Sequence, residues 1–285
     1  MAVFKKQQHM EDNCMKKLGI CLSGGGAKGA YQIGALKALQ ELGILDRATA
    51  FSGSSIGAVN ATFVAAGAMD VAKEIWFNVP ENPLGDNPSI GKTLRDQKLK
   101  IIDSGLFSIK KLNKLLDENI DFELLKKKDV FITIADTGEV NKGLIDLLKS
   151  TFAHYIKKDS HVQYVPLKEI NKDLQIDTVV ASCSIPVVFP PVVANNRKYR
   201  DGGYFDNTPI QPLIDFGCDE IICITISRLS SMRFIKQKYK NVKIYEMKAT
   251  RNLGKSLDFS SKHSKRIYEY GYRDAIKYFA KMSLE

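Results

Sequence analysis

The sequence predicts an α/β fold, a mostly parallel central sheet covered by helices. Three observations carry this. The first third of the chain alternates apolar strand runs with helical spacing in the order βαβα, the pattern of parallel strands joined by helical crossovers. Further short apolar runs rich in Ile and Val recur downstream. The chain then closes on a long amphipathic stretch.

Taken in order, Lys17–Leu22 reads as a short buried strand and Ser23–Gly29 as a glycine-rich turn. Ala30–Leu42 follows with Ile33, Leu36 and Leu39 at helical spacing, and Gly43 ends that helix. Thr49–Ser52 is a brief strand, and Ile56–Ala66 is a helix of small residues closed by Gly67. Residues 78–128 change character: Pro80, Pro83, Gly85 and Pro88 interrupt the chain, and Leu112–Leu125 is helical and lysine-rich. That stretch reads as an insertion, either a lid or a plain helical connection. Val130–Ala135, Thr178–Ala181, Glu220–Ile226 and Val242–Tyr245 read as strands. Lys262–Met282 is a helix whose apolar positions Ile267, Ala275, Ile276 and Phe279 are expected to pack on the sheet. The expected organisation is a flexible segment 1–16 followed by one domain, 17–285.

Composition bounds the partners. Hydrophobic residues are 44% and charged residues 26% of the 285, ordinary for a globular chain. No apolar run reaches the roughly 18 residues of a membrane-spanning helix, and the start lacks the apolar core of a signal peptide. Cys14, Cys21, Cys183, Cys218 and Cys223 are odd in number and lack C-x-x-C spacing. Free thiols in a reducing cytoplasm are expected rather than a disulfide framework or zinc site. No ligand cluster has usable spacing, so neither metal nor other cofactor is expected. The formal charge of +10 is uneven: residues 228–285 hold 15 Lys or Arg against 5 Asp or Glu, which accounts for the whole excess. This is either a solvated face or a surface for something anionic, lipid headgroups or nucleic acid. The basic end carries no recognised nucleic-acid motif, so none is expected to bind.

Three motifs carry chemistry. Gly53-Ser54-Ser55-Ile56-Gly57 is a G-x-S-x-G elbow between a strand and a helix. Such a turn exposes a serine at the rim of a sheet, its flanking glycines let the turn pack closely, and the following helix N-terminus favours negative charge on its oxygen. Ser54 is the adjacent competitor, but the glycine spacing selects Ser55. Gly24-Gly25-Gly26-Ala27-Lys28-Gly29 matches G-x-G-x-x-G, so a dinucleotide turn is its first rival. The next strand, however, is very short, carries the elbow and ends without an acid for a ribose. Three consecutive glycines also offer backbone N–H groups to an oxyanion. The third motif is a base. His9, His154, His161 and His263 all read as surface residues, whereas Asp201 lies in the glycine-rich turn Asp201-Gly202-Gly203. An aspartate would need partial desolvation and a hydrogen bond to Ser55 to act as a base.

Together, in the order glycine loop, serine, aspartate, these motifs resemble the patatin-like phospholipases. The resemblance runs from about Lys17 to about Phe279. It takes in Ala181-Ser182-Cys183-Ser184-Ile185-Pro186, Phe189-Pro190-Pro191 and Gly271-Tyr272-Arg273-Asp274-Ala275. It implies a three-layer α/β/α hydrolase of lipid acyl esters with Ser55 as nucleophile, Asp201 as base, an oxyanion hole at Gly25 and Gly26, and Lys28 as the basic residue near that hole. Gly24, Gly29, Gly53, Gly57, Gly202 and Gly203 would support these motifs. Lipid or another acyl ester is the expected substrate, with peripheral association to anionic membrane through the basic end. A soluble carboxylesterase and a non-catalytic lipid-binding protein are the alternatives.

Overall fold

The structure, a computed structural model, describes residues 16–78, 109–139, 161–183, 192–194, 197–201, 206–226, 232–256 and 258–282. Eight strands form one sheet: β1 Leu18–Leu22, β2 Ala48–Ser54, β3 Asp129–Glu139, β4 His161–Pro166, β5 Val192–Ala194, β6 Arg197–Asp201, β7 Glu220–Thr225 and β8 Lys243–Lys248. They run in the order β5-β6-β3-β2-β1-β7-β8, with β4 also on β3. The pairs among β3, β2, β1, β7 and β8 are parallel, as the βαβα opening predicts, while β4, β6 and β5 run antiparallel.

Alternation along the strands divides the core. Leu18, Ile20 and Leu22 of β1, with Ile222 and Ile224 of β7, enter the larger core. Cys21, Ile221 and Cys223 face a smaller one, the period of two expected of strands buried on both sides. Helices α1 Gly29–Glu41, α2 Ile56–Ala65, α3 Met69–Phe77, α4 Ile109–Asn119, α5 Phe122–Leu125, α6 Lys172–Ser182 and α9 Ser261–Met282 contribute buried or packed residues to the larger core. The short helices α7 Gln211–Asp215 and α8 Arg233–Lys238 cover the other face. The result is a three-layer α/β/α molecule.

Several elements differ from expectation. Thr178–Ala181 lies within α6 rather than a strand. Asn171 caps that helix by accepting from Leu174 N at 3.0 Å, and Ile176, Val179 and Val180 bury one face at i, i+3 and i+4. Capping and periodicity outweigh the β-branched composition. The expected helix Leu112–Leu125 breaks into α4 and α5, where Asp121 caps the second by accepting from Glu123 N at 2.9 Å and Leu124 N at 3.0 Å. Leu112, Leu116 and Leu125 are buried in the main core; residues 79–108 of the expected insertion lie outside the described residues. Helix α3 and strands β4, β5 and β6 are additions to what the sequence predicts. The apolar face of α9 packs across α1 more than on the sheet. There Tyr31 Oη donates to Asp274 at 3.0 Å, while Phe279 reaches Tyr245 of β8 with ring centroids 6.4 Å apart.

Candidate active site

The elbow forms where β2 meets α2. Ser55 has φ 54° and ψ −128°, and it is the one non-glycine residue at positive φ among those described. That backbone costs on the order of 1–3 kcal/mol and persists only where surroundings impose it. Two features impose it. A Cβ on Gly53 would sit 2.4 Å from Gly57 O, and one on Gly57 would sit 2.3 Å from Leu22 O, so only glycines let α2 start this close to the strands. In addition, Ser55 N donates to Ser182 Oγ at 2.9 Å, and Ser182 Oγ donates to Thr133 O at 2.7 Å. Ser182 is fully buried and so fastens the elbow to β3. Ser54 is also fully buried. Its Oγ has no partner among the described residues.

The glycine loop lies against the elbow: a Cβ on Gly24 would be 3.1 Å from Ser55 Cβ. Gly24 N donates to Asn207 O at 3.1 Å, and Asn207 Nδ2 donates back to Gly24 O at 3.2 Å. Ala27 N donates to Ser256 O at 2.7 Å. Between these two anchors, the N–H groups of Gly25 and Gly26 find no acceptor among the described residues, and both glycines are partly exposed. Gly26 is at φ 60° and begins a single 3₁₀ turn, Gly26–Lys28, which leads into α1. Lys28 is half-buried on that turn. A buried chain of amides ties the loop's base to the elbow helix. Trp76 Nε1 donates to Asn60 Oδ1 at 3.3 Å. Asn60 Nδ2 donates to Gln32 Oε1 at 2.9 Å and to Gly29 O at 3.0 Å, and Gln32 Nε2 donates to Ser23 O at 2.7 Å. None of Ser182, Asn207, Gln32 and Asn60 stands out in the sequence as a site residue. Ser182 falls in the stretch before the Asp201-Gly202-Gly203 motif, the one signal available.

Asp201 is the last residue of β6 rather than part of a turn. Strand β3 outruns β2. Its Thr133 pairs with Ser54, the last residue of β2, and the next residue, Ile134, pairs with Asp201. Strand β4 pairs continuously along Phe131–Asp136 on the other edge, so β6 takes the edge that β2 vacates. The ends of β2 and β6 therefore meet head to head. Gly202 and Gly203 lie outside the described residues. The chain re-emerges at Asp206, which accepts from Tyr164 Oη at 2.6 Å, and Ser52 Oγ of β2 donates to Pro209 O at 2.6 Å.

Of the histidines, His9 and His154 lie outside the described residues, and His161 is the first residue of β4. His263, expected at the surface, is 3% exposed. Its Nδ1 lies 3.5 Å from Asp258 Oδ2 and 3.0 Å from the Arg266 guanidinium. Burial is the largest influence on the ring and holds its pKa below the ordinary value. The ring packs beneath Gly254, on the segment whose Ser256 carbonyl holds Ala27. An apolar pocket lies along the elbow helix, lined by Ile56, Val59, Phe63, Trp76, Leu112 and Leu115. Among the described residues, no helix is long and apolar enough to cross a membrane, no acid, histidine and cysteine cluster has metal-site geometry, and Cys21, Cys183, Cys218 and Cys223 form no disulfide.

A mostly parallel sheet with a strained serine at a strand-to-helix elbow, beside a glycine loop whose Gly25 and Gly26 N–H groups find no acceptor among the described residues, is a layout shared by α/β hydrolytic enzymes. The family model described as Patatin-like phospholipase matches residues 20–214, and the chain belongs to that family. It is 26% identical over 219 residues to Lysophospholipase NTE1 of Cryptococcus neoformans, covering 75% of this chain but 11% of that much longer protein. It is 26% identical over 271 residues to Probable lipid hydrolase 463L of Invertebrate iridescent virus 6, covering 90% of this chain and 87% of the viral one. Among solved structures, human GIVD cytosolic phospholipase A2 superposes with TM-score 0.57 at 11% identity, covering 94% of this chain and 60% of that one. VipD from Legionella pneumophila gives 0.51 at 15% identity, covering 93% and 67%. These structural likenesses bear on the fold.

Proposed function

We propose that this protein hydrolyses the acyl esters of phospholipids or lysophospholipids through a Ser55–Asp201 dyad. The observation that carries this reading is the register on β3, in which Ser54 and Asp201 take successive positions. That brings the backbone of Asp201 beside the elbow. In the proposed reaction Asp201 takes the Ser55 proton as Oγ attacks the ester carbonyl. The carbonyl oxygen becomes an oxyanion held by the N–H groups of Gly25 and Gly26, helped by the N-terminus of α2. Collapse expels the alcohol, which takes the proton from Asp201 and leaves an acyl-serine. Water, deprotonated by the same aspartate, then releases the fatty acid and regenerates Ser55. The names of the fungal and viral relatives agree with a lipid substrate. The basic residues of 228–285 would favour peripheral contact with anionic membrane on the cytoplasmic side.

The test is incubation with a mixed phospholipid and neutral-lipid extract, products read by mass spectrometry, alongside fluorophosphonate labelling mapped by peptide. Ser55→Ala should lose both label and turnover, and Asp201→Asn should lose turnover by about 10²–10⁴. A label on Ser54, or turnover retained in either variant, refutes the dyad. Release of acid from soluble esters alone would point to a carboxylesterase.

A further inference from the structure

Helix α8 carries a combination the fold does not require. Phe234 is 75% exposed, against 43% for Leu42 and 40% for Leu124, the other exposed large apolar residues among those described. The helix is held from its opposite side. Met232 is buried and Ile235 packs with it in the smaller core, and Met232 N donates to Glu246 Oε1 at 3.2 Å. Phe234 shares the outward face with Lys238, four residues on. Arg233, Lys236, Lys240 and Lys243 are exposed around them. From Ser227 to Tyr245 the chain holds no Asp or Glu. The next acid, Glu246, is occupied by Met232 N and by Lys248 at 3.0 Å.

The patch leads away from the site: Lys243 pairs with Glu220 at the starting end of β7, whereas the glycine loop lies at its finishing end. Ile226, at the end of β7, donates its N–H to Ser23 Oγ at 3.1 Å, and its Cδ1 fills the space where Gly25 would carry a Cβ. A single exposed phenylalanine needs no explanation by itself. One flanked by cations along α8 and the start of β8, where Glu220 is the acid facing Lys243, has the two parts of an interfacial anchor, an apolar group for the headgroup boundary and charge for anionic lipid.

We propose that α8 docks the protein on anionic bilayers, with Phe234 inserting at the headgroup boundary and Lys236, Lys238, Lys240 and Lys243 meeting the headgroups. This rests on the lipid reading above, and the experiment separates the two. Phe234→Trp supplies a fluorophore; the native Trp76 is the chain's one tryptophan and is 4% exposed, so the wild type gives the background. With vesicles of phosphatidylglycerol and phosphatidylcholine at low salt, emission from the introduced indole should shift to the blue and be quenched by brominated lipid. Phe234→Ser should weaken vesicle partition roughly tenfold. Changing the four lysines to Glu should abolish it, as should high salt. Both variants should hydrolyse a soluble nitrophenyl ester like the wild type, so loss of docking with that activity intact separates this inference from the dyad. Unshifted emission from the Phe234→Trp variant, wild-type binding by Phe234→Ser, equal binding to neutral vesicles, or preferential capture by an oligonucleotide of equal charge overturns the proposal.

Discussion

Ser182→Ala isolates the bond that holds the elbow. The wild-type hydroxyl accepts from Ser55 N at 2.9 Å and donates to Thr133 O at 2.7 Å, and Ser182 is fully buried. Each bond is worth about 1 kcal/mol net, and a buried N–H left without an acceptor costs about 1–3 kcal/mol. The variant should therefore lose about 2–3 kcal/mol. At about 2 °C per kcal/mol for a chain of this size, its melting midpoint should fall about 5 °C. The backbone strain at Ser55 is of the same order, about 1–3 kcal/mol, so removing the bond frees the elbow to relax. A misplacement near 1 Å costs about 10²-fold in rate. The expected kcat on a soluble nitrophenyl ester is thus about 10–100-fold lower with KM little changed, and fluorophosphonate labelling should slow in proportion. Circular dichroism melts and steady-state kinetics on the same preparation supply both numbers. A variant that melts lower yet keeps full kcat would show that Gly53 and Gly57 hold the elbow without the serine bridge. An unchanged midpoint would show that the bridge contributes nothing.

Three further outcomes are expected. Ser54→Ala removes a buried hydroxyl that has no partner among the described residues, so it should leave stability equal or raised by up to about 1 kcal/mol in urea melts and retain the fluorophosphonate label; loss of the label would reopen the choice of nucleophile. His263 is buried with its pKa held below the ordinary value of about 6.5, so the unfolded chain takes up a proton first, and its contribution is present above that value and lost as pH falls below it. Urea melts at pH 7.5 and 5.5 should show a smaller difference for His263→Gln than for wild type, and equal differences would refute this assignment. Gly271→Ala places a Cβ 1.9 Å from Tyr31 O at the crossing of α1 and α9. It should lower stability by about 3 kcal/mol or prevent folding, whereas a wild-type melting curve would mean that the two helices part easily.

Local signals made much of the fold legible. The alternation through β1, α1, β2 and α2 and the helix ends at Gly43 and Gly67 were readable because strand runs, apolar spacing and glycines at positive φ (68° and 73° here) act within one turn of chain. Thr178–Ala181 misled because its β-branched residues outweighed the cap at Asn171, although the cap was visible too. Strands β4, β5 and β6 escaped notice for a different reason. They are antiparallel additions on and beside β3, and their pairing rests on partners distant in sequence rather than on their own composition. The candidate serine was legible because its glycines must flank it at fixed offsets. Its supports at Ser182, Asn207 and Gln32 were not, since a buried polar residue shows its purpose only through the backbone group it satisfies.

That difference bears on how the site keeps its shape. The three motifs are far apart in the chain, and each is held by hydrogen bonds to segments outside itself. The elbow is fastened to β3 through Ser182, and the glycine loop to α2 through Gln32 and Asn60. The segment from Asp206 onward is fastened to three places at once: to β4 through Tyr164 and Asp206, to the glycine loop through Asn207, and to β2 through Ser52. Because Asn207 engages both the N–H and the carbonyl of Gly24, the loop cannot shift without carrying with it the segment beyond Asp201. Preorganised donors aid catalysis only when they need no rearrangement as charge develops. Tying Gly25 and Gly26, the proposed oxyanion donors, between Asn207 and Ser256 would meet that requirement through the backbone, where no side-chain rotamer has to be frozen.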